Sequence, residues 1–287
     1  MNAYHKYLLE GEQHGMAYRL RIPPEIFSGR QGQQIGHAAG ASLDFRDFRD
    51  YQPGDDLRRI DWGAYGRSDR LLVKLFREEN EPHADILIDT SRSMNTESKA
   101  GAALRLVSLL GTAARNAKCS CRTWMTLGGC HPVENSREPA SAWQGISFSS
   151  RLPLPEELSI LPPRWRNRSI RILISDLLFP GKPAAVLSRL VGGAAALSVI
   201  QILSEADLRP SFYGNVRIRD AESGEIRELF FDDAGQKLYQ DRLEQHRNSW
   251  YESCRSMGIP LTVLTAEELM RDWNIDPLLH CGCVELR

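Results

Sequence analysis

One segment decides the fold of this chain: Ile86-Leu87-Ile88-Asp89-Thr90-Ser91-Arg92-Ser93-Met94. Its apolar half predicts a buried β-strand that ends at Asp89, and open α/β sheets bind ligands at the carboxyl ends of such strands. Ser91 and Ser93 follow at alternate positions, so one turn supplies a carboxylate and two hydroxyls. These hard oxygen ligands suit Mg²⁺ or Mn²⁺, which keep several waters besides a few protein oxygens.

A second apolar strand, predicted over residues 169–175, runs into Asp176. Neighbouring strands of a doubly wound sheet end at the same rim, which brings Asp89 and Asp176 near each other. Two such carboxylates repel unless a cation lies between them. The sequence therefore predicts a divalent metal site formed by Asp89, Ser91, Ser93 and Asp176. The alternative is that these side chains only cap the helices that follow them.

From residue 84 onward, predicted strands and helices alternate along the chain. Glu97 to Lys118 places apolar residues at three- and four-residue steps, which is typical of an amphipathic helix. Further predicted helices cover residues 183–190 and 234–257, and strands cover 84–89, 119–127, 169–175, 195–203 and 259–264, with a hairpin at 216–220 and 226–231. This alternation predicts an α/β fold with a doubly wound, mostly parallel sheet and helices on both faces.

The first eighty residues are weakly patterned. Strands are predicted over residues 43–51, with a bulge or turn, and over 70–76, and a short helix over 57–60 that Asp55 or Asp56 would cap. Apolar residues are too few for an independent core. We therefore expect an irregular N-terminal extension, residues 1–80, packed on a main domain of residues 81–287.

Composition points to an ordinary globular protein. The 287 residues carry a formal net charge of -1, which gives no bias toward nucleic acid or anionic membranes. The most apolar stretch, residues 186–203, is too polar to span a membrane, and the N-terminus lacks the features of a signal peptide. We expect a cytoplasmic protein with reduced cysteines. The alternative for the two Cys-x-Cys pairs is a zinc site, although zinc sites usually space their cysteines by two to four residues.

Enzyme classes fit the sequence poorly. It has no Gly-x-x-x-x-Gly-Lys phosphate loop and no Gly-x-Ser-x-Gly elbow. The best enzymatic alternative is a haloacid-dehalogenase-like phosphohydrolase with Asp89 as nucleophile. Those enzymes resemble one another in a second aspartate two residues further on, where this chain has Ser91. A nucleic-acid-binding alternative would use Arg164, Arg166, Arg168, Arg171 and Trp165, for which we expect a solvated loop.

Two sets of motifs resemble known families. Asp89-Thr90-Ser91-Arg92-Ser93 is similar to the Asp-x-Ser-x-Ser signature of the metal-ion-dependent adhesion site of von Willebrand factor A domains, and Ser175-Asp176 resembles its third loop. Residues 45–62 and 74–80 resemble the signature of the bacterial family called domain of unknown function 58, and residues 203–207 and 220–224 resemble its C-terminal half. The resemblance covers roughly residues 28 to 265.

That resemblance implies a von Willebrand factor A-like (Rossmann-like) fold without established catalytic activity. It also implies frequent genomic company with MoxR-type AAA+ ATPases, which suggests an adaptor or chaperone-like role. Many relatives carry two membrane helices upstream, and we expect this chain to be a soluble member without membrane insertion. The charged residues Asp55, Asp56, Arg58, Arg59 and Asp61 are expected to form an ion-pair network that fixes the N-terminal segment.

The chain departs from the full adhesion site in one respect. That site adds a threonine from a second loop, but residues 131–168 contain no threonine. Ser147, Ser149 or Ser150 could replace its hydroxyl. We expect the remaining four residues to bind Mg²⁺ or Mn²⁺ weakly, or when a partner adds a carboxylate. The sequence thus predicts a non-enzymatic interaction module that docks a protein partner and not a nucleic acid.

Overall fold

The computed structural model describes residues 3–26, 43–53, 55, 57, 60–68, 70–78 and 81–287. Contacts divide the chain into a larger unit, Met1–Ile26 with Pro82–Arg287, and a smaller unit, Phe27–Glu81. The sequence-based boundary was placed after residue 80, and the second segment of the larger unit begins at Pro82. However, the first 26 residues also belong to the larger unit, whereas the sequence analysis assigned them to the extension.

Helices and strands alternate along much of the chain. In chain order they are α1 (Ala3–Gly15), β1 (Tyr18–Leu20), β2 (Leu43–Asp50), α2 (Trp62–Ser68), β3 (Leu72–Glu78), β4 (His83–Ile88), α3 (Glu97–Asn116), β5 (Ser120–Thr126), β6 (Cys130–Pro132), α4 (Leu154–Ile160), β7 (Ile170–Ser175), α5 (Pro183–Val191), β8 (Ala196–Leu203), α6 (Glu205–Leu208), β9 (Gly214–Arg219), β10 (Ile226–Phe231), α7 (Asp233–Ser256), β11 (Leu261–Thr265), α8 (Ala266–Asp272), α9 (Asp276–His280) and β12 (Val284–Leu286).

The larger unit is built on a six-stranded sheet in the order β11-β8-β7-β4-β5-β6. All neighbours pair in parallel except β5 and β6, which are antiparallel. This confirms the predicted α/β fold with a mostly parallel sheet. In the register, Ile88 at the end of β4 lies opposite Ile174 of β7. Asp89 and Asp176 consequently leave the sheet at the same rim.

Helices cover both faces of this sheet. Ile86 and Ile88 of β4 pack in one hydrophobic core with buried residues of α3. Leu87, which points to the opposite face, packs in a second core with Leu187 of α5 and Trp250 of α7. Such alternation is the period-two pattern of a strand buried on both sides. The sheet is therefore doubly wound, as the alternation of strands and helices predicted.

The N-terminal helix α1 corrects the expectation of an irregular extension. It packs on α3 at very close range. A Cβ added at Gly11 would clash with the carbonyl oxygen of Arg105, so only glycine fits there. One added at Gly15 would lie 2.8 Å from the carbonyl oxygen of Leu109. Glycines four residues apart share one face of a helix, so they allow the two backbones to approach. An ion pair of 2.5 Å between Glu10 and Arg105 adds to this contact.

The smaller unit contains the antiparallel pair β2 and β3, with a register shift between Phe45 and Asp47. The two strands and the bulge were predicted. The short helix predicted over residues 57–60 falls partly on residues outside the described ones. A helix that was not predicted, α2, begins at Trp62 after Asp61, whose Oδ1 accepts the Ala64 N–H at 3.0 Å and caps the helix.

The structure describes only part of the predicted ion-pair network. Asp55 pairs with Arg49 at 2.6 Å, a partner that the sequence analysis did not name. Asp56, Arg58 and Arg59 lie outside the described residues.

Candidate functional site at the carboxyl rim of the sheet

The loop after β4 carries three of the four predicted ligands. The Asp89 N–H donates to the carbonyl of Ile174 at 2.8 Å, which continues the pairing of β4 with β7 by one residue. A single 3-10 turn then forms over Arg92–Met94. The cap of α3 is Thr96, whose hydroxyl accepts the Lys99 N–H at 3.3 Å. Ser91 and Ser93 therefore do not cap that helix, and their hydroxyls remain at the rim.

All four predicted side chains line one cavity of about 350 Å³. The hydroxyls of Ser91 and Ser93 are 3.0 Å apart and form a hydrogen bond. The same separation suits two ligands of one cation, because neighbouring oxygens around octahedral Mg²⁺ at about 2.1 Å are roughly 3 Å apart. Among the described residues, no three His, Cys, Asp or Glu side chains are arranged as metal ligands. A cation here would therefore depend on the two hydroxyls.

Asp89 is buried at the centre of the site. Its Oδ2 accepts the Ser175 hydroxyl at 2.7 Å, and its Oδ1 accepts the Ser91 N–H at 3.0 Å. Burial and the nearby charge of Asp176 raise the pKa of Asp89 to about 6, against the opposing effect of these hydrogen bonds. The negative charge of Asp89 is therefore only partly compensated by its neighbours, and a cation in the cavity would stabilise the ionised carboxylate.

Asp176 has a cationic partner that the sequence analysis missed. Its Oδ2 accepts a hydrogen bond from Lys99 Nζ at 3.0 Å, and Lys99 also lies 3.2 Å from Oδ2 of Asp207. Lys99 is only 3% exposed. Burial lowers the pKa of Lys99, but the charges of Asp176 and Asp207 outweigh burial and raise it above the usual value. The rim thus contains a fixed internal cation beside one of its two aspartates.

A second unpredicted contact comes from the turn between β9 and β10. The Ser93 N–H donates to Glu222 Oε1 at 3.0 Å, although the two residues are 129 positions apart. Acidic side chains outnumber basic ones around the cavity, which is lined by Asp89, Glu156, Asp176, Asp220 and Glu222 and by the single basic residue Arg151. The electrostatic character of the rim therefore favours a cation.

The candidate replacements for the missing threonine do not reach the cavity. Ser150 lies beside Ser91 through an isolated β-bridge, but its hydroxyl donates to the buried carboxylate of Glu157. Ser147 and Ser149 hydrogen-bond each other at 3.0 Å at the surface. None of these three serines lines the cavity. The structure therefore gives no support to the possibility that one of them replaces the threonine hydroxyl.

The arginine cluster has a structural role in part. The guanidinium of Arg171 is buried and donates to the carbonyls of Leu190, at 2.6 Å, and Gly192, at 2.8 Å, at the end of α5. It also lies 4.2 Å from the ring of Trp165. Cations at a helix C-terminus satisfy its last carbonyls. Arg171 and Trp165, two residues of the nucleic-acid-binding alternative, therefore contact each other, and Arg171 also binds backbone carbonyls of the protein.

A known family model matches the segment of the chain that contains the site loop. The family "Protein of unknown function DUF58" matches residues 47–118, which include Asp89, Ser91 and Ser93. The resemblance to that family is confirmed over this segment. Uncharacterized proteins of Mycobacterium tuberculosis and Mycobacterium bovis are each 26% identical over 276 residues, covering 90% of this chain and 84% of the relative.

Two solved structures are similar at a lower level. A conserved hypothetical protein BatB of Bacteroides thetaiotaomicron has a TM-score of 0.36 and 12% identity, covering 70% of this chain and 98% of that one. An aerotolerance-related membrane protein of Bacteroides fragilis has a TM-score of 0.31 and 14% identity, covering 60% and 94%. In the part of this chain that the structure describes, no helix has both the length and the apolarity needed to cross a membrane.

Proposed function

We propose that this chain is a non-enzymatic protein-interaction module whose sheet rim docks a partner through a divalent cation. The observation that carries the proposal is the convergence of Asp89, Ser91, Ser93 and Asp176 on one acidic cavity of about 350 Å³. In this proposal the larger unit is a von Willebrand factor A-like domain, and the four rim residues form its metal-ion-dependent adhesion site.

The donor set suits Mg²⁺ or Mn²⁺. In the proposal, the hydroxyls of Ser91 and Ser93 hold the cation, and the carboxylates of Asp89 and Asp176 balance its charge. A cation bound by few protein oxygens keeps positions open, and one of these can accept an acidic side chain from another protein. Because Lys99 already compensates Asp176 at 3.0 Å, weak binding of the cation is expected.

The partner in this proposal is a MoxR-type AAA+ ATPase, which the family resemblance suggests. The chain would act as its adaptor or chaperone-like partner in the cytoplasm. A carboxylate from the partner would form a charge-assisted contact in a partly desolvated site. Loss of one such contact typically costs a few kcal/mol of binding free energy.

Titration calorimetry with Mn²⁺ on the wild-type protein, Asp89→Ala and Asp241→Ala tests the metal part. Asp241 lies exposed on α7 and serves as the matched control. We expect Asp89→Ala to weaken Mn²⁺ binding at least about tenfold, or about 1.4 kcal/mol, and Asp241→Ala to leave it unchanged. Circular dichroism confirms that each variant is folded. Equal binding by the wild type and Asp89→Ala would place the metal elsewhere.

The docking part is tested with the purified ATPase from the same host. Asp89→Ala or EDTA should weaken its binding at least about tenfold, while Asp241→Ala should not. If the ATPase binds equally well to the wild type and to Asp89→Ala, with or without EDTA, the rim is not its docking site.

A further inference from the structure

The turn between β9 and β10 places a carboxylate at the rim. Glu222 Oε1 accepts the Ser93 N–H at 3.0 Å, and Glu222, Ser93 and Asp89 line the same cavity. A negatively charged acceptor on a backbone N–H makes a charge-assisted hydrogen bond, which is among the stronger kinds in proteins. The position beside the Ser93 hydroxyl is therefore occupied by an acidic group of the chain itself.

The turn that carries Glu222 is preorganised. Asp220 Oδ1 accepts both the N–H and the hydroxyl of Ser223, each at 2.7 Å. The Asp220 N–H donates to the carbonyl of Glu225 at 2.8 Å, and Gly224 adopts a φ of +75°, which glycine accepts without strain. Glu222 is thus presented from a locally fixed turn, as an acidic residue on the surface of a binding partner would be.

The hairpin buries few of its own residues. β9 and β10 form a two-stranded sheet of their own, separate from the central sheet. Of the residues in these two strands, all of which the structure describes, only Phe231 is buried. Two-stranded hairpins are marginally stable alone, so little packing opposes their displacement. Gly214, at φ +88° where β9 begins, offers a hinge.

We infer that Glu222 is an internal ligand of the rim, which occupies in the free protein the place that a partner's acidic side chain takes on docking. This inference rests on the proposed function and names the regulation of the same site. The hairpin must swing away before the partner binds. If the rim is closed nine-tenths of the time, the apparent affinity for the partner is reduced tenfold, because only the open fraction binds.

The chain supplies its own probe for this inference. A fluorescent peptide of residues 217–228, cyclised through added terminal cysteines, presents the same turn in trans. Its anisotropy is titrated in Mn²⁺ with the wild type, with Glu222→Ala and with Glu228→Ala, an exposed acidic residue of the same hairpin as the matched control. We expect Glu222→Ala to bind the peptide at least about tenfold more tightly than the wild type and Glu228→Ala to bind like the wild type. A peptide carrying E222A should not bind.

Hydrogen exchange at the Ser93 amide gives a second measurement on the full chain. Exchange should be faster in Glu222→Ala, which removes the acceptor, and close to wild type in Glu222→Gln, which keeps one. Equal peptide binding by the wild type and Glu222→Ala, including no binding by either, overturns the inference.

The outcomes separate the inference from the proposed function. If Asp89→Ala weakens Mn²⁺ binding as proposed while Glu222→Ala does not improve peptide binding, the role of Glu222 as internal ligand is refuted and the proposed metal site stands. If Glu222→Ala binds the peptide more tightly but Asp89→Ala and EDTA leave that binding unchanged, the internal ligand stands and the metal role fails.

Discussion

Replacing Lys99 by methionine tests how strongly the rim depends on its internal cation. Lys99 is 3% exposed and lies 3.0 Å from Asp176 and 3.2 Å from Asp207. Methionine keeps the length of the side chain but removes its charge. Two carboxylates then lose their partner, and one of them, Asp176, is buried near a third carboxylate, Asp89.

The expected loss of stability follows from these contacts. Removing one member of a buried ion pair typically costs 3–5 kcal/mol, because the remaining charge stays buried without compensation. The side chain of Asp207 is 21% exposed, so water can partly solvate it, which favours the lower end of that range. We therefore expect Lys99→Met to lower the free energy of unfolding by about 3 kcal/mol, a large part of the roughly 5–15 kcal/mol of a typical domain.

Urea unfolding followed by tryptophan fluorescence, in EDTA at neutral pH, measures this loss. Lys182→Met is the control, since Lys182 is exposed. The double variant Lys99→Met/Asp176→Asn should be more stable than Lys99→Met alone, because it also removes the uncompensated charge. A loss below about 1 kcal/mol, equal to that of Lys182→Met, would refute the importance that we assign to this ion pair.

The remaining predictions concern pH and domain organisation. Burial and the charge of Asp176 raise the pKa of Asp89 from an ordinary value of 3.8 to about 6 in the folded protein. The folded state therefore binds this proton more tightly than the unfolded chain, and its stability falls as pH rises from about 4 to about 6. Urea unfolding in EDTA is compared at pH 4.5 and pH 7. The wild type should lose about 2 kcal/mol more of its free energy of unfolding between these pH values than Asp89→Asn, because at 1.36 kcal/mol per pKa unit the rest of the effect occurs below pH 4.5. Equal losses would contradict the raised pKa of Asp89. Limited proteolysis within residues 27–81 should leave Ala3–Gly15 bound to the fragment that begins near Pro82, because α1 packs on α3. Separation of the two fragments on size-exclusion chromatography would contradict this.

The sequence was informative wherever apolar periodicity was strong. β4 and β7 are mostly apolar strands whose ends are followed by Asp89 and Asp176, and α3 repeats its apolar residues at helical spacing. These patterns predicted the parallel sheet, its order of elements and the meeting of Asp89 with Asp176. Local spacing also sufficed for Ser91 and Ser93, because both lie on the turn that directly follows the strand.

Contacts between distant segments were not predictable in this way. The contact of α1 with α3 relies on Gly11 and Gly15, and only a few apolar residues of α1, among them Leu8, reach the core, so the hydrophobic pattern that marks this contact is weak. In the sequence, Lys99 looks like an ordinary charged residue in the first turn of α3. Its partners Asp176 and Asp207 are 77 and 108 positions away, and only folding brings the three side chains together. The contact of Glu222 with Ser93 spans 129 positions. A charged residue near a helix start carries no local signal of such a partner.

The charges at the rim set how the proposed cation and the proposed partner influence each other. Lys99 compensates Asp176, whereas Asp89 is held only by hydrogen bonds. A cation would therefore gain most from Asp89 and from the nearby carboxylate of Glu222. Opening the hairpin removes Glu222 and weakens the cation's site, unless an acidic side chain of the partner takes its place. Because linkage is reciprocal, the cation must then strengthen partner binding by the factor by which the partner strengthens cation binding. A rim with an internal cation and an internal acidic ligand is thereby suited to exchange between two occupants and not to permanent retention of either.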